Sequence, residues 1–260
     1  MDSFRGNSPS RLFSPQPIGN PWSAGQCSTM LRIVGRRGSL KLRGVAFDLD
    51  GVLVDSEIHK AASHVGVIST FGGRIAVDDY ATVLGESAPY VASRMMEIAG
   101  LNRPVDEYLA RFEGDYAKRL NAIPGRDGAV NLLAVLAARG VKIGVVTSST
   151  RPVLDDLLRR CELARYVSAR VAADDVGHPK PAPDCYLNVM EQLQVGAAEI
   201  AVVEDTEVGV SAAKAAGAGV VAVRHRLNHN MKFEDAYAVV EGFESPERLL
   251  ILLEGCTTTI

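Results

Sequence analysis

Val45-Ala46-Phe47-Asp48-Leu49-Asp50-Gly51-Val52 joins an apolar run to two acids and a glycine. The apolar run reads as a strand that stops at the acids. Strand residues at i and i+2 share a face, so extended geometry lets Asp48 and Asp50 address one site. Gly51 permits a sharp turn and a close approach of a ligand to the backbone. A carboxylate nucleophile beside a carboxyl acid/base divides a hard substitution into two easier steps. Taken alone, the same residues also describe an ordinary strand end with solvated acids.

Three later segments extend the pattern. Val141-Lys142-Ile143-Gly144-Val145-Val146-Thr147-Ser148-Ser149 reads as a buried parallel strand ending in hydroxyls, natural donors to phosphate oxygens. Gly177-His178-Pro179-Lys180-Pro181-Ala182-Pro183-Asp184 holds a lysine between prolines. Each proline fixes its own φ and restricts its predecessor, so this loop is stiff. Ile200-Ala201-Val202-Val203-Glu204-Asp205-Thr206 is another buried strand with paired acids at its end, and it runs into the alanine-rich, helix-like stretch 208–217.

In chain order these segments supply an Asp-x-Asp, a Thr/Ser, a Lys and a Glu-Asp. This order resembles the four-motif pattern of the haloacid dehalogenase superfamily. Asp48-Leu49-Asp50-Gly51-Val52-Leu53-Val54-Asp55-Ser56-Glu57 and Lys180-Pro181-Ala182-Pro183-Asp184 are similar to its β-phosphoglucomutase-like, small-molecule phosphatase branch, and the resemblance runs over residues 43–255. The dehalogenase branch lacks the second aspartate of the first motif, which this chain has as Asp50.

The resemblance implies that Asp48 is the nucleophile and Asp50 the acid/base, with Thr147 and Lys180 holding phosphoryl oxygens. Ser148 is a further candidate substrate contact. Asp48, Asp50, Glu204 and Asp205 would then share one pocket. Each pair of like charges 4–5 Å apart repels by about 3–4 kcal/mol at an effective dielectric near 20. A hard divalent cation with oxygen ligands offsets this, and Mg²⁺ is the usual choice beside phosphate. The resemblance implies side-chain ligation by Asp48 and Asp205, a backbone carbonyl from Asp50, and Glu204 as a further ligand. No Cys/His cluster of zinc-ligand spacing is present.

From residue 43 onward strands and helices alternate. Strands are expected at 43–48, 141–147, 168–172, 200–204 and 219–223, and core helices at 127–139, 152–160, 183–193, 208–216 and 246–253. The alternation predicts an α/β fold, a doubly wound parallel sheet of Rossmann type, with ligands beyond the carboxyl ends of the strands. The stretch 57–122 breaks the alternation and reads as helices only, at 57–70, 78–84, 87–99 and 105–121. It resembles the inserted α-helical cap of this branch. Residues 41–56 and 123–260 would form the core, with linkers near 54–56 and 122–126. Pro124-Gly125 marks the return. The apolar run Leu249–Leu253 is expected to pack under the sheet.

In the mutase-like cap a glycine is followed three residues later by an arginine that grips the distal phosphate. Here Leu84-Gly85-Glu86-Ser87-Ala88-Pro89 has Ala88 in that slot, which disfavours the mutase alternative. Glu86, Ser87 and Lys60 are candidate substrate determinants. Lys60 stands where the family often has histidine, with His59 one residue early; His64, His225 and His229 carry no argument for catalysis. A non-catalytic phospho-aspartyl regulator would have no need of Asp50. The expected activity is therefore Mg²⁺-dependent hydrolysis of a small phosphorylated metabolite.

The chain has 260 residues, 47% hydrophobic content and a net charge of −3. This supports a sizeable core and gives no reason to expect a nucleic-acid partner. No apolar run reaches the ~20 residues needed to span a bilayer. Cys27, Cys161, Cys185 and Cys256 are scattered and read as reduced thiols of a cytoplasmic protein. Residues 1–40 hold seven Ser, four Pro, five Arg and a single acid, Asp2. They fit a disordered extension or a start at Met30, or else an organellar transit peptide; the absence of an amphipathic helix favours the former. Either a monomer or a homodimer is compatible with the sequence.

Overall fold

The computed structural model describes residues 42–243 and 245–257. The expectations for residues 1–40, Cys27 and Met30 lie outside the described residues. Among the described residues six parallel strands form one sheet: β1 (Gly44–Asp48), β2 (Lys142–Val146), β3 (Ala169–Val171), β4 (Ile200–Glu204), β5 (Gly219–Val223) and β6 (Ala238–Val240). Their spatial order is β3-β2-β1-β4-β5-β6. β1, β4 and β5 are buried along their whole length. A parallel sheet covered on both faces needs apolar residues on both, which is why these strands read as unbroken apolar runs.

The two faces divide by residue alternation. Val45, Phe47, Val145, Val203 and Val221 pack against α4 (Ala129–Ala138), α5 (Arg151–Arg160) and α8 (Pro246–Cys256) through Leu132, Leu136, Leu157 and Leu253. Ala46, Val146, Val202 and Val220 face α6 (Asp184–Leu193) and α7 (Glu207–Ala215) through Tyr186, Val189, Val210 and Ala213. Gly144 lets α6 approach β2, since a Cβ there would lie 2.4 Å from Val189 Cγ2. The run Leu249–Leu253 splits: Leu249, Leu250 and Leu253 are buried, while Ile251 is 63% exposed.

β6 was not expected. Its three residues are too short a stretch to show alternation, and it is held by its pairing with β5 and by Tyr237 N donating to Val220 O at 2.8 Å. The other strand and helix ends agree with expectation to within one or two residues, except that the last helix runs three residues further, to Cys256.

Between β1 and α4 the chain forms helices only: α1 (Glu57–Thr70), a 3₁₀ segment (Val77–Val83), α2 (Ala88–Ile98), α3 (Val105–Arg119) and a 3₁₀ turn (Leu120–Ala122). The α-helix expected over 78–84 is the 3₁₀ segment instead. Asp79 accepts the Ala76 N–H at 2.7 Å and Thr82 Oγ1 donates to Asp79 O at 2.7 Å. Such local side-chain bonds compete with α-helical ones. Arg94, Glu97 and Arg111 lie on solvent-facing helix surfaces, in ion pairs one turn apart along their helices. Among the described residues no helix is long and apolar enough to cross a membrane.

The two crossings between sheet and insertion lie side by side. Val54 bridges Gly125 in antiparallel fashion, Asp55 N donates to Pro124 O at 3.1 Å, and Arg126 N donates to Leu53 O at 2.9 Å. The Arg126 guanidinium also donates to Gly51 O, Arg224 O and Glu241 O, clasping the loops after β1, β5 and β6.

His64 is buried in the core of the insertion, bonded to the Tyr108 hydroxyl at 2.8 Å and stacked on Phe112 with ring centroids 4.3 Å apart. Burial, aided by the Lys60 ammonium, pushes its pKa down to about 3. The unfolded chain takes up this proton near pH 6.5, whereas the folded chain does not until about pH 3. Stability contributed by neutral His64 is therefore complete above pH 6.5 and lost as pH falls below it, by about 2 kcal/mol at pH 5. Urea unfolding at pH 7 and pH 5 should show this loss. His64→Phe should flatten the slope in that window; an unchanged slope would mean that His64 titrates normally.

Candidate active site

The sheet reverses its winding at β1, with β2 and β3 to one side and β4 to β6 on the other. In open α/β sheets ligands bind beyond the carboxyl ends of the strands at such a switch point. Asp48 ends β1, Thr147 follows β2 and Glu204 ends β4, so the chain's own topology delivers them to one crevice. Asp48, Asp50, Thr147, Glu204 and Asp205 are all buried.

Lys180, in the loop before α6, sits between two of the acids. Its Nζ lies 2.6 Å from Asp48 Oδ1 and 2.6 Å from Glu204 Oε1. The Lys180–Pro181 bond is cis. Burial disfavours the ammonium, but the Asp48 and Glu204 charges outweigh it and hold Lys180 well above the usual lysine range. Glu204 is saturated with donors. Tyr186 OH donates to its Oε1 at 2.7 Å, and its Oε2 accepts from Asp205 N at 2.9 Å and from Thr206 N and Oγ1 at 3.2 Å each. Burial raises the Glu204 carboxyl, yet Lys180 and these donors bring it below its ordinary value. Asp48 goes the other way. Burial and the neighbouring Glu204, Asp205 and Asp50 raise it well above the usual carboxylate range despite Lys180. Asp205 is likewise raised, by burial and then by Glu204 and Glu57.

Asp50 occupies a different environment. Its Oδ1 accepts from Ser56 Oγ at 2.5 Å and lies 3.1 Å from Lys60 Nζ. Its Oδ2 accepts from Thr147 Oγ1 and Ser149 Oγ, each at 2.9 Å. Burial raises its carboxyl, but Lys60 and the hydroxyl donors outweigh that and keep it below the ordinary value. Lys60 also reaches Glu57 Oε1 at 2.8 Å, and Glu57 Oε2 accepts from Tyr80 OH at 2.9 Å. Helix α1 thus presents Lys60, not His59, to Asp50.

The remaining candidates stand apart from this cluster. Ser148 is exposed and its side chain bonds to none of these groups; Ser149, two residues beyond Thr147, does. The i, i+2 rule that pairs Asp48 with Asp50 also pairs Thr147 with Ser149, so the signal was available. Glu86 and Ser87 are exposed in the loop before α2. That loop lies against the β4–α7 turn: Gly85, with φ +86°, would place a Cβ 2.8 Å from Thr206 Cβ.

His225 belongs to the site although nothing in its spacing announced it. Its Nε2 is 2.8 Å from Asp205 Oδ2, and its Nδ1 accepts the Leu227 N–H at 3.2 Å. Nδ1 being an acceptor, the ring proton lies on Nε2. Burial pushes the imidazole down to about 4.

A sequence model of the family described as haloacid dehalogenase-like hydrolase matches residues 45–223. The chain belongs to this family. It is 28% identical over 218 residues to the phosphorylated carbohydrates phosphatase of Thermotoga maritima, covering 82% of this chain and 99% of that protein. It is 29% identical over 212 residues to the phosphoglycolate phosphatase of Shigella dysenteriae, covering 72% and 83%. Its fold is similar to that of the β-phosphoglucomutase of Clostridium difficile, with a TM-score of 0.69 at 19% identity over 81% of this chain and 96% of that one.

The cluster in this haloacid dehalogenase-like hydrolase fits a hard cation. Five buried carboxyl groups (Asp48, Asp50, Glu57, Glu204 and Asp205) face two ammonium groups, Lys60 and Lys180. Lys180 takes Asp48 Oδ1 and His225 takes Asp205 Oδ2; among the described residues neither Asp48 Oδ2 nor Asp205 Oδ1 has a protein hydrogen-bond partner. No trio of His, Cys, Asp or Glu among the described residues is placed to chelate an ion by side chains alone. Two carboxylate oxygens with a backbone carbonyl, completed by water and substrate, is the ligand style of Mg²⁺.

Proposed function

We propose that this hydrolase is a Mg²⁺-dependent phosphatase acting on a small phosphorylated metabolite of the sugar-phosphate class, through an aspartyl-phosphate on Asp48. The observation that carries this reading is the contrast between two carboxyl groups two residues apart. Among the described residues Asp48 is held by Lys180 alone and keeps one oxygen unengaged, while Asp50 is enclosed by four donors. Neighbouring titratable groups in contrasting environments mark a division of nucleophile from acid/base. The names of the two phosphatase relatives support the substrate class.

In this reading Asp48 attacks phosphorus and the leaving oxygen takes a proton from Asp50. Asp50 then takes a proton from the water that hydrolyses the intermediate. As held here Asp50 favours the carboxylate. A phosphoryl oxygen that claims the Thr147 hydroxyl removes one of the donors stabilising that carboxylate, and so favours its protonation. Lys180 holds the phosphoryl oxygens as their charge redistributes. Asp48, Asp205 and the Asp50 carbonyl would hold Mg²⁺, with Glu204 beside them. When bound, the ion offsets repulsion between Asp48 and the phosphate dianion. Residues 57–122 act as a cap over the 41–56 and 123–260 core, excluding bulk water, with Glu86 and Ser87 facing substrate and Ser148 a further contact.

The test is phosphate release from a panel of phosphorylated sugars, sugar acids and polyols, with Mg²⁺ or with excess chelator, following isomerisation of hexose 1-phosphates in parallel. Mg²⁺-supported release that falls to background with chelator is the expected result. Isomerisation without net release would make the protein a mutase. Neither activity would leave a phospho-aspartyl regulator.

A further inference from the structure

The turn after β5 joins two parts of the molecule that the four motifs leave unconnected. Its residues form a closed unit. His225 N donates to Asn228 Oδ1 at 2.9 Å, and Asn228 Nδ2 donates to Asp205 O at 2.8 Å and to Val223 O at 2.9 Å. His225 Nε2 completes the circuit at Asp205 Oδ2. Asp205 is thus gripped through both its side chain and its backbone by one turn. Gly51 lies over the grip: a Cβ there would be 2.2 Å from Asp205 Oδ2 and 3.1 Å from His225 Nε2. Between the two gripping residues, Leu227 is buried in the hydrophobic core of the helical insertion, with Ile68, Tyr80 and Met95.

We propose that His225 is the positioning residue for the cation-binding carboxylate of Asp205, and that its turn ties this carboxylate to the seating of the helical insertion. The inference rests on the cation reading given above. The donor geometry supplies the reason. A neutral imidazole that spends Nδ1 on its own turn has one fixed N–H to offer, and offering it to Oδ2 leaves Oδ1 as the oxygen for the ion. Carboxylate ligands held in this way by outer partners lose about 10–100-fold in metal affinity when the partner is removed. The matched family span ends at residue 223, short of both His225 and Asn228.

The test is calorimetric titration of the full chain with Mg²⁺ alone, for wild type, His225→Ala, His225→Phe and His225→Gln. His225→Phe keeps a ring in place and serves if the alanine variant fails to fold. Both should weaken Mg²⁺ binding by about 10-fold or more, while glutamine, whose amide nitrogen can stand where Nε2 was, should restore most of the affinity. At saturating Mg²⁺ the alanine and phenylalanine variants should regain much of their kcat, with KM for the phosphorylated substrate little changed. Wild-type Mg²⁺ affinity in His225→Ala or His225→Phe would overturn the inference and leave the proposed activity standing. Failure of the wild type itself to bind Mg²⁺ would overturn both.

Discussion

Asp48→Asn should lower Mg²⁺-supported phosphate release by at least about 10⁴-fold while leaving the protein folded. The amide is nearly isosteric, so the packing at the end of β1 is retained. It cannot form the acyl phosphate, and it brings no charge to a cation. Folding should not suffer, because burial and three neighbouring acids already disfavour the Asp48 carboxylate. Lys180 keeps its second partner, Glu204, at 2.6 Å. The cation-free variant should therefore unfold at or above the wild-type temperature. Asp48→Glu offers a sharper control, since it restores the charge but moves it by about one bond length, and misplacement on the order of 1 Å costs about 100-fold. Retention of more than about 1% activity by Asp48→Asn would put the nucleophile elsewhere.

Gly209→Ala should destabilise the fold by about 3 kcal/mol or more, although alanine for glycine inside a helix ordinarily stabilises by about 1 kcal/mol. The reversal comes from Glu204. A Cβ at position 209 would lie 1.9 Å from Glu204 Oε1 and 2.3 Å from Oε2. A free carboxylate at the end of a flexible side chain would swing aside. This one is fully buried and bound to Lys180, Tyr186 and the first residues of the β4–α7 turn. Displacing it leaves the buried ammonium with one partner and the tyrosine hydroxyl with none. Urea unfolding measures the loss, and a variant as stable as wild type would mean that Glu204 has another place to go. Activity should fall with stability, because Lys180 is seated by the same carboxylate.

Much of this was legible because the chemistry sits where secondary structure ends. Apolar runs that stop at acids or hydroxyls mark both a strand and its carboxyl end, so Asp48, Thr147 and Glu204 come with their location attached. Lys180 comes with a stiff loop. What escaped was set by rotation and by distance. Whether α1 turns Lys60 or His59 toward Asp50 depends on the course of the chain through Gly51–Ser56, which no periodicity encodes. His225 meets Asp205 across 20 residues through one hydrogen bond, in a turn whose composition looks like any surface loop. β6 is three residues long and leans on its neighbour for existence. Ser149 is different in kind, since alternation favoured it over Ser148.

The paired crossings at Val54 and Gly125 have a consequence for how such a protein diversifies. Because the outgoing and returning chains are bridged to each other, residues 57–122 leave and re-enter the sheet at a single point. A foreign helical module needs only termini about 5 Å apart to be spliced in their place. Arg126 holds the loops after β1, β5 and β6 together from the core side of the junction, independently of the insertion. One contiguous stretch of gene can therefore be exchanged, provided the incoming module brings a cation to Asp50 where Lys60 now stands and a pocket for Leu227.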